Sequence, residues 1–340
     1  MKKDKKELKV NTLNLYNEAF DGDVSKDRQT FIGGSDVGTI MGVNPFKSAF
    51  DLYLEKTEQI ERENIDDKLQ IRLGHKMENV VAEIYEEETG DKVQLSNRSY
   101  RCKEYPFLIG HIDRKVVGKK KGLEIKTTSS FNKTEYDDGE IPPTHYFQCM
   151  FYMMITGFHD WDLATLRDNR NFYVTHVAWD EHIAELMLDK IIRFWECVEK
   201  KEWTLGLDGS ESTKKALDKA YPATNTNNEL QILKENQIAM PIQNYEEAKK
   251  TLKELNELVD SFENEIKSIM GYSECAVLDD KYRIDWKTFK RAGGYDVKKF
   301  LEDHPKSELV KYKKPDTTYR RFSIKEIKQK DVKRLENRNR

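Results

Sequence analysis

Four cysteines in 340 residues, at positions 102, 149, 197 and 275, form no C-x-x-C pair and no cluster. Their scatter excludes a disulfide framework and suits a reducing compartment. It also excludes a zinc site or an iron–sulfur ligand set built on grouped thiolates. The seven histidines make no H-E-x-x-H or similar metal pair. Long apolar runs are missing too: the longest, 147–158, is broken by Gln148 and Thr156 and is too short to cross a bilayer. No secretory signal pattern opens the chain, so a cytoplasmic location is expected. Nor is there an excess of positive charge. Lys and Arg number 58 against 61 Asp and Glu, a formal net charge of −3, so nucleic-acid contact would require a local basic surface.

What is present is charge of both signs (35%) beside a hydrophobic content of 37%, in a chain long enough for one large or two modest domains. Residues 1–24 read as a Lys-rich arm with a short helix carrying Leu13, Leu15, Tyr16 and Phe20. Residues 25–206 alternate helical and strand patterns. Helices are predicted over 36–41, 49–56 and 69–89, two paired strands within 107–127, a helix over 144–156, strands over 161–167 and 172–178, and a helix from 181 to 202. That order predicts an α/β fold, an α+β mixed sheet flanked by helices. The polar stretch 207–228 reads as a linker. In 229–325, Leu230 and Leu233 start a helix that Pro241 ends. Leu252, Leu255, Val259, Phe262, Ile266 and Ile269 give a second helix a coiled-coil-like 3-4 spacing. The two are expected to pair as an αα-hairpin, followed by a β-hairpin at 276–278 and 282–289. Lys311, Lys313, Lys314, Arg320 and Arg321 interleave with Tyr312, Tyr319 and Phe322, a pattern that fits nucleic-acid contact or a solvated edge. Residues 326–340 form a charged tail.

The chain is organised around 107–127, FLIGHIDRKVVGKKKGLEIKT. Gly118 and Gly122 bracket Lys119–Lys121 as a turn. Leu123-Glu124-Ile125-Lys126-Thr127 alternates strictly, the pattern of a half-buried strand with Glu124 and Lys126 on one face. A four-residue loop, 118–121, pairs Asp113 with Lys126 and brings it to that face; a five-residue loop sends it to the other. Two carboxylates and an ammonium at one spot suit Mg²⁺ and a metal-bound water. Glu-x-Lys is otherwise common here, Glu-Ile-Lys recurring at 265–267 and 326–328 as solvated charge.

Three further features have two readings each. Arg28 precedes Gly33-Gly34-Ser35, where Ser35 either caps a helix or joins Arg28 in an anion site. Glu78, at the rim of the apolar stripe of 69–89 (Leu73, Met77, Val80, Val81, Ile84, Tyr85), is either solvated or reaches a site between helix and sheet. Gln148, amid apolar neighbours, either bonds backbone or faces a ligand, because burying it unpaired costs ~1–3 kcal/mol. His111 would share a face with Asp113.

Taken in order, Arg28…Gly33-Gly34-Ser35-Asp36, Gly74-His75-Lys76-Met77-Glu78, Gly110-His111-Ile112-Asp113, Leu123-Glu124-Ile125-Lys126 and Tyr146-Phe147-Gln148 resemble the YqaJ-type viral recombinase family. That family stands with lambda exonuclease in the PD-(D/E)XK nuclease superfamily, and the resemblance covers roughly 25–205. It implies a restriction-endonuclease-like core. Asp113, Glu124 and Glu78 are implied as metal ligands with the backbone carbonyl of Ile125, Lys126 as the lysine acting on the water nucleophile, and Gln148 as the glutamine behind the site. Arg28 and Ser35 look like the pair that holds a 5′-phosphate. Asp113 follows Ile112, not a proline, a departure at a loosely kept position. The resemblance implies a Mg²⁺-dependent (Mn²⁺ substituting) 5′-to-3′ exonuclease on double-stranded DNA ends, leaving 3′ single-stranded tails for recombination. It further implies a toroidal homotrimer and a single-strand annealing partner. A restriction- or repair-type endonuclease and a non-catalytic DNA-end-binding module are the alternatives.

Overall fold

The structure is a computed structural model that describes residues 17–20, 28–64, 67–96, 98–129, 141–222, 235–278, 281–290, 293, 296–304 and 313–315. The chain divides into two compact units, residues 1–222 and 223–340. In the first unit the elements run β1 (Asn17–Phe20), α1 (Gly34–Ile40), α2 (Ala49–Lys56), α3 (Leu69–Thr89), β2 (Val93–Leu95), β3 (Ser99–Cys102), β4 (Ile109–His111), β5 (Arg114–Val116), β6 (Lys121–Thr128), α4 (Pro143–Thr156), β7 (Asp160–Arg167), β8 (Asn171–Ala178), α5 (Glu181–Lys200) and α6 (Glu211–Ala220). A five-stranded mixed sheet has the order β2-β5-β6-β7-β8, with β6 and β7 parallel and the rest antiparallel; a smaller sheet has the order β1-β3-β4. The fold is a mixed sheet flanked by helices, as the element order predicts.

Local chemistry sets most boundaries. Ser48 accepts from the Asp51 amide (3.2 Å) to cap α2, and Asp180 accepts from Ile183 (3.0 Å) to cap α5. Gly90 and Gly157 end α3 and α4 in left-handed conformation (φ 75° and 67°). Leu123, Ile125, Ala164 and Leu166 pack on one face of the large sheet against Val81 and Tyr85 of α3. On the other face, Trp161 joins the main core with Met150, Phe151 and Met154 of α4 and the inner faces of α1, α2 and α5. With helices on both sides β6 is a central strand, so Gly122 and Glu124 are buried beside Leu123 and Ile125. The half-buried strand expected from alternation is therefore corrected to one covered on both faces over 122–125.

Other expectations are corrected too. The strand expected over 107–117 is two strands in two sheets, β4 and β5, separated at Ile112-Asp113. The register Arg114↔Leu123 leaves a four-residue connection, 117–120, and Gly122 belongs to β6 under the Trp161 ring. Phe20 lies in a strand paired with Ser99, not in a helix. Leu73 and Val80 of the expected α3 stripe are exposed, while Ala82 is buried. Within the expected linker 207–228, α6 packs on α2: Ser212 Oγ donates to Asp51 (3.1 Å) and accepts from the Ser48 amide (2.9 Å), with Thr213 and Ala216 buried. Its few apolar residues, Ala216, Leu217 and Ala220, fall on one helical face behind a Ser210 cap, which a polar average conceals.

In the second unit α7 (Glu235–Met270) runs unbroken through Pro241, so the helix break predicted there does not occur. Pro241 is the seventh residue of the helix, where a missing amide removes one hydrogen bond of a 36-residue helix. Leu230, Leu233, the Asp279-Asp280 turn, Leu13, Leu15, Tyr16, the terminal lysine runs and all of 311–340 except 313–315 lie outside the described residues. A hairpin of β9 (Cys275–Leu278) and β10 (Tyr282–Asp285) follows, then α8 (Val297–Asp303).

Candidate active site

Asp113 occupies the bend where the chain leaves the small sheet for the large one. Continuing the β5–β6 register by one residue sets it opposite Glu124, on the face that looks towards α4. Asp113 Oδ2 accepts from the Ile125 amide (2.9 Å), which locks the bend against β6. Glu124 and Lys126, two apart on β6, form an ion pair of 2.6 Å with Glu124 almost fully buried. The two acids and the amine expected from the sequence are thus one cluster, by a register two residues from the one predicted but of the same parity.

Burial dominates its electrostatics. Desolvation first, then the Asp113 charge, push the Glu124 carboxyl up to about 8, against the opposing pull of Lys126. Burial also raises Asp113, and the nearby Glu78 charge adds to this, while Lys126 and the Ile125 amide oppose it. Burial works against the Lys126 ammonium, yet Glu124 and Asp113 more than offset it and hold the group above the usual lysine range. Two crowded carboxylates that resist ionising together call for a cation. Glu124 Oε1 is taken by Lys126, but Oε2 is buried with no hydrogen-bond partner among the described residues. An orphaned hard oxygen beside a second carboxylate fits a divalent ion of the Mg²⁺ type.

Glu78 is half-buried on α3, its Oε1 3.0 Å from His75 Nδ1. Next to it, Asn79 accepts from Arg114 (2.6 Å), which pins α3 to β5 beside Asp113. Gln148 is buried on α4 and donates to the Tyr152 hydroxyl (3.1 Å), a side-chain partner and not the backbone. His111 belongs to the small sheet, 3.5 Å from Ser99 Oγ. Sequence reading passed over His145 on α4, where burial and the Lys126 charge push the imidazole down to about 3, so it is neutral. No spacing rule marks it, because α4 reaches the cluster only through tertiary packing.

Arg28 and Ser35 line one cavity of about 270 Å³, together with Asn44, Lys47, Lys56 and Arg62. Ser35 is not the cap of α1: Gly33 is, and Asp36 accepts from the Gly33 amide (3.1 Å). Ser35 lies in the first turn, exposed. Lys56, also missed from sequence, is buried and donates to the carbonyls of Arg28 and Phe31 and to Asp36 (2.9 Å). It ties the Arg28 turn to the start of α1. Ile32 bridges Leu108, bonding to the Phe107 carbonyl (2.7 Å) and the Ile109 amide (3.0 Å), so this pocket is anchored on the strand that leads to Asp113.

A second cluster went unnoticed in the sequence. Ligand atoms of Asp160, Asp162 and His176 lie within 4.8 Å of one another, a spacing that could hold a metal ion. They sit at the opening of β7, on the α3 face of the sheet, away from the Glu124 face. Lys121 is 2.7 Å from Asp162, and the Tyr85 hydroxyl donates to it (2.7 Å). The Lys121 ammonium, 3.7 Å from Asp160, offsets one of the two carboxylate charges.

Residues 24–159 match the model of the YqaJ-like viral recombinase domain. An uncharacterized protein named YqaJ from Bacillus subtilis (strain 168) is 30% identical over 303 residues, covering 88% of this chain and 93% of that one. Among solved structures, an alkaline exonuclease from Laribacter hongkongensis matches with TM-score 0.45 and 17% identity over 52% of this chain and 91% of its own. A phage-related exonuclease from Haemophilus somnus 129PT matches with TM-score 0.38 and 13% identity over 50% and 92%. The 30% identity with the Bacillus subtilis protein along nearly the whole of both chains, with a domain match over the span that holds Asp113, Glu124, Lys126 and the Arg28 pocket, establishes that the chain belongs to the YqaJ-like viral recombinase family.

Proposed function

We propose that this protein is a divalent-metal-dependent deoxyribonuclease that trims double-stranded DNA from its 5′ ends and leaves 3′ single-stranded tails. The observation that carries the reading is the buried meeting of Asp113, Glu124 and Lys126, with one Glu124 oxygen unpartnered. Asp113 and Glu124, with Glu78 beside them and the Ile125 carbonyl, would hold Mg²⁺ or Mn²⁺. When bound, such an ion polarises a phosphate oxygen and acidifies water. Lys126, held protonated, orients the attacking water and stabilises developing negative charge. Gln148 and Tyr152 brace the wall behind it. Arg28 and Ser35, with Lys47 and Arg62 in the same cavity, receive the 5′-phosphate left by each cut, which biases successive cuts along one strand.

Digestion of a linear duplex labelled at either end, with and without a 5′-phosphate, tests this. Mg²⁺-dependent loss of the 5′ label is expected, faster on the phosphorylated end, with covalently closed circles left intact. Lys126→Ala is expected to slow cleavage by about 10²–10⁴-fold. Cutting of closed circles, or full activity in Lys126→Ala, overturns the reading.

A further inference from the structure

In the second unit, Leu252, Leu255, Leu258, Val259, Phe262, Ile266 and Ile269 are each at least 41% exposed on α7. With Tyr245 and Ala248, six of them fill eight consecutive a and d positions of four heptads; Leu258 stands at a g position. The charges lie elsewhere on the helix and are paired along it, Lys253 with Glu257 (3.6 Å) and Lys267 with Glu263 (2.7 Å). A repeat of 3.5 residues, unlike one of 3.6, keeps a straight seam only against another helix.

We infer that this seam binds the same seam of a second copy of the chain, as an antiparallel two-stranded coiled coil centred near Leu258. In that arrangement Tyr245 faces Ile269 of the second copy, Ala248 faces Ile266, Leu252 faces Phe262 and Leu255 faces Val259, and each large residue meets one it can interlock with. The parallel alternative stacks Tyr245 on Tyr245 and Ala248 on Ala248, a bulge beside a void. The flanking charges select the same orientation: Lys249 of each copy comes beside Glu263 of the other, and the two Leu258 side chains meet at the symmetry axis. The apolar surface available on two copies is on the order of 1,200–1,500 Å², the size of a specific interface.

The full-length chain answers this in three measurements. Sedimentation equilibrium is expected to give an even number of chains per particle. Val259→Glu with Phe262→Glu is expected to halve that mass while circular dichroism and nuclease activity on short duplexes are kept. Lys249→Glu is expected to weaken association at least tenfold, and Lys249→Glu with Glu263→Lys to restore it. In a Cys275→Ser background, a mild oxidant is expected to cross-link Leu258→Cys chains into dimers. It should not cross-link Ile269→Cys chains, whose thiols would stand at opposite ends of a seam of roughly 37 Å. A single-chain mass in the unsubstituted protein, or no change in the double Glu variant, overturns self-association. Ready cross-linking through Ile269→Cys overturns the antiparallel form.

Discussion

Lys56 is the residue whose role depends most on its surroundings. Its ammonium is buried against Asp36, and the two define the floor of the Arg28 pocket. Burial opposes the charge on Asp36, but Lys56 reverses this and holds the carboxyl below its ordinary value of 3.8. A depressed carboxylate contributes stability that is present above the unfolded value and lost as pH falls through the folded one. Lys56→Met leaves only the Gly33 amide and the Lys47 charge to oppose desolvation, so the carboxyl is expected to rise. That variant is expected to lose about 3–5 kcal/mol near neutral pH. The deficit should shrink on acidification towards pH 4, where Asp36 takes up a proton. Thermal melts of both proteins between pH 4 and 7 check the size and the sign. Asp113, Glu124 and Lys126 were legible as residues because strand alternation is a local rule. Lys56 was not: in sequence it is one more lysine at the end of an amphipathic helix, and its burial comes from the Arg28 turn folding over it.

Among the elements, the crossing of α1 and α4 sets the back wall of the site. A Cβ on Gly34 would stand 2.7 Å from the Tyr152 ring and 2.8 Å from its hydroxyl, the same hydroxyl that Gln148 holds. Gly34→Ala is expected to destabilise the protein by about 1–3 kcal/mol through overpacking. It should also lower cleavage more than its melting temperature alone explains, since the displaced ring carries Gln148 with it. Cleavage rates measured well below the melting transition separate the two effects. In Gly33-Gly34 the second glycine is there for close approach, which no local pattern in the sequence marks. Likewise the 107–117 strand could not be seen to divide, because Ile112-Asp113 lies in an unbroken β pattern and only the competing pairings of β3 and β6 pull its halves into different sheets. Helix α6 escaped for the opposite reason: its polar composition hides one apolar face that α2 covers.

For the whole molecule, the two units differ in how they are held. The first has a core closed by helices on both faces of a sheet. In the second, Met270 is the one buried apolar side chain among the described residues, in keeping with the pairing of α7 inferred above. Calorimetry is expected to show two transitions. One should rise in temperature with Mg²⁺, by mass action at the carboxylate cluster, and ignore protein concentration. The other should ignore Mg²⁺ and rise with protein concentration. A net charge of −3 gives no long-range pull towards DNA, so the duplex contact proposed above would rest on local cations such as those around the Arg28 cavity.

By itself the sequence determined helices α1 to α5 and strands β6 to β8, the helix stops at Gly90 and Gly157, the facing of Glu124 with Lys126, and the heptads of α7. All of these follow from periodicity and backbone chemistry within a few residues. Only the tertiary structure decided that β6 is covered on both faces, that Asp113 turns the corner between two sheets onto Glu124, and that Lys56 lies under Arg28. These depend on which distant segments exclude water from a given side chain, and burial of that kind is a property of the packed chain, not of any stretch of it.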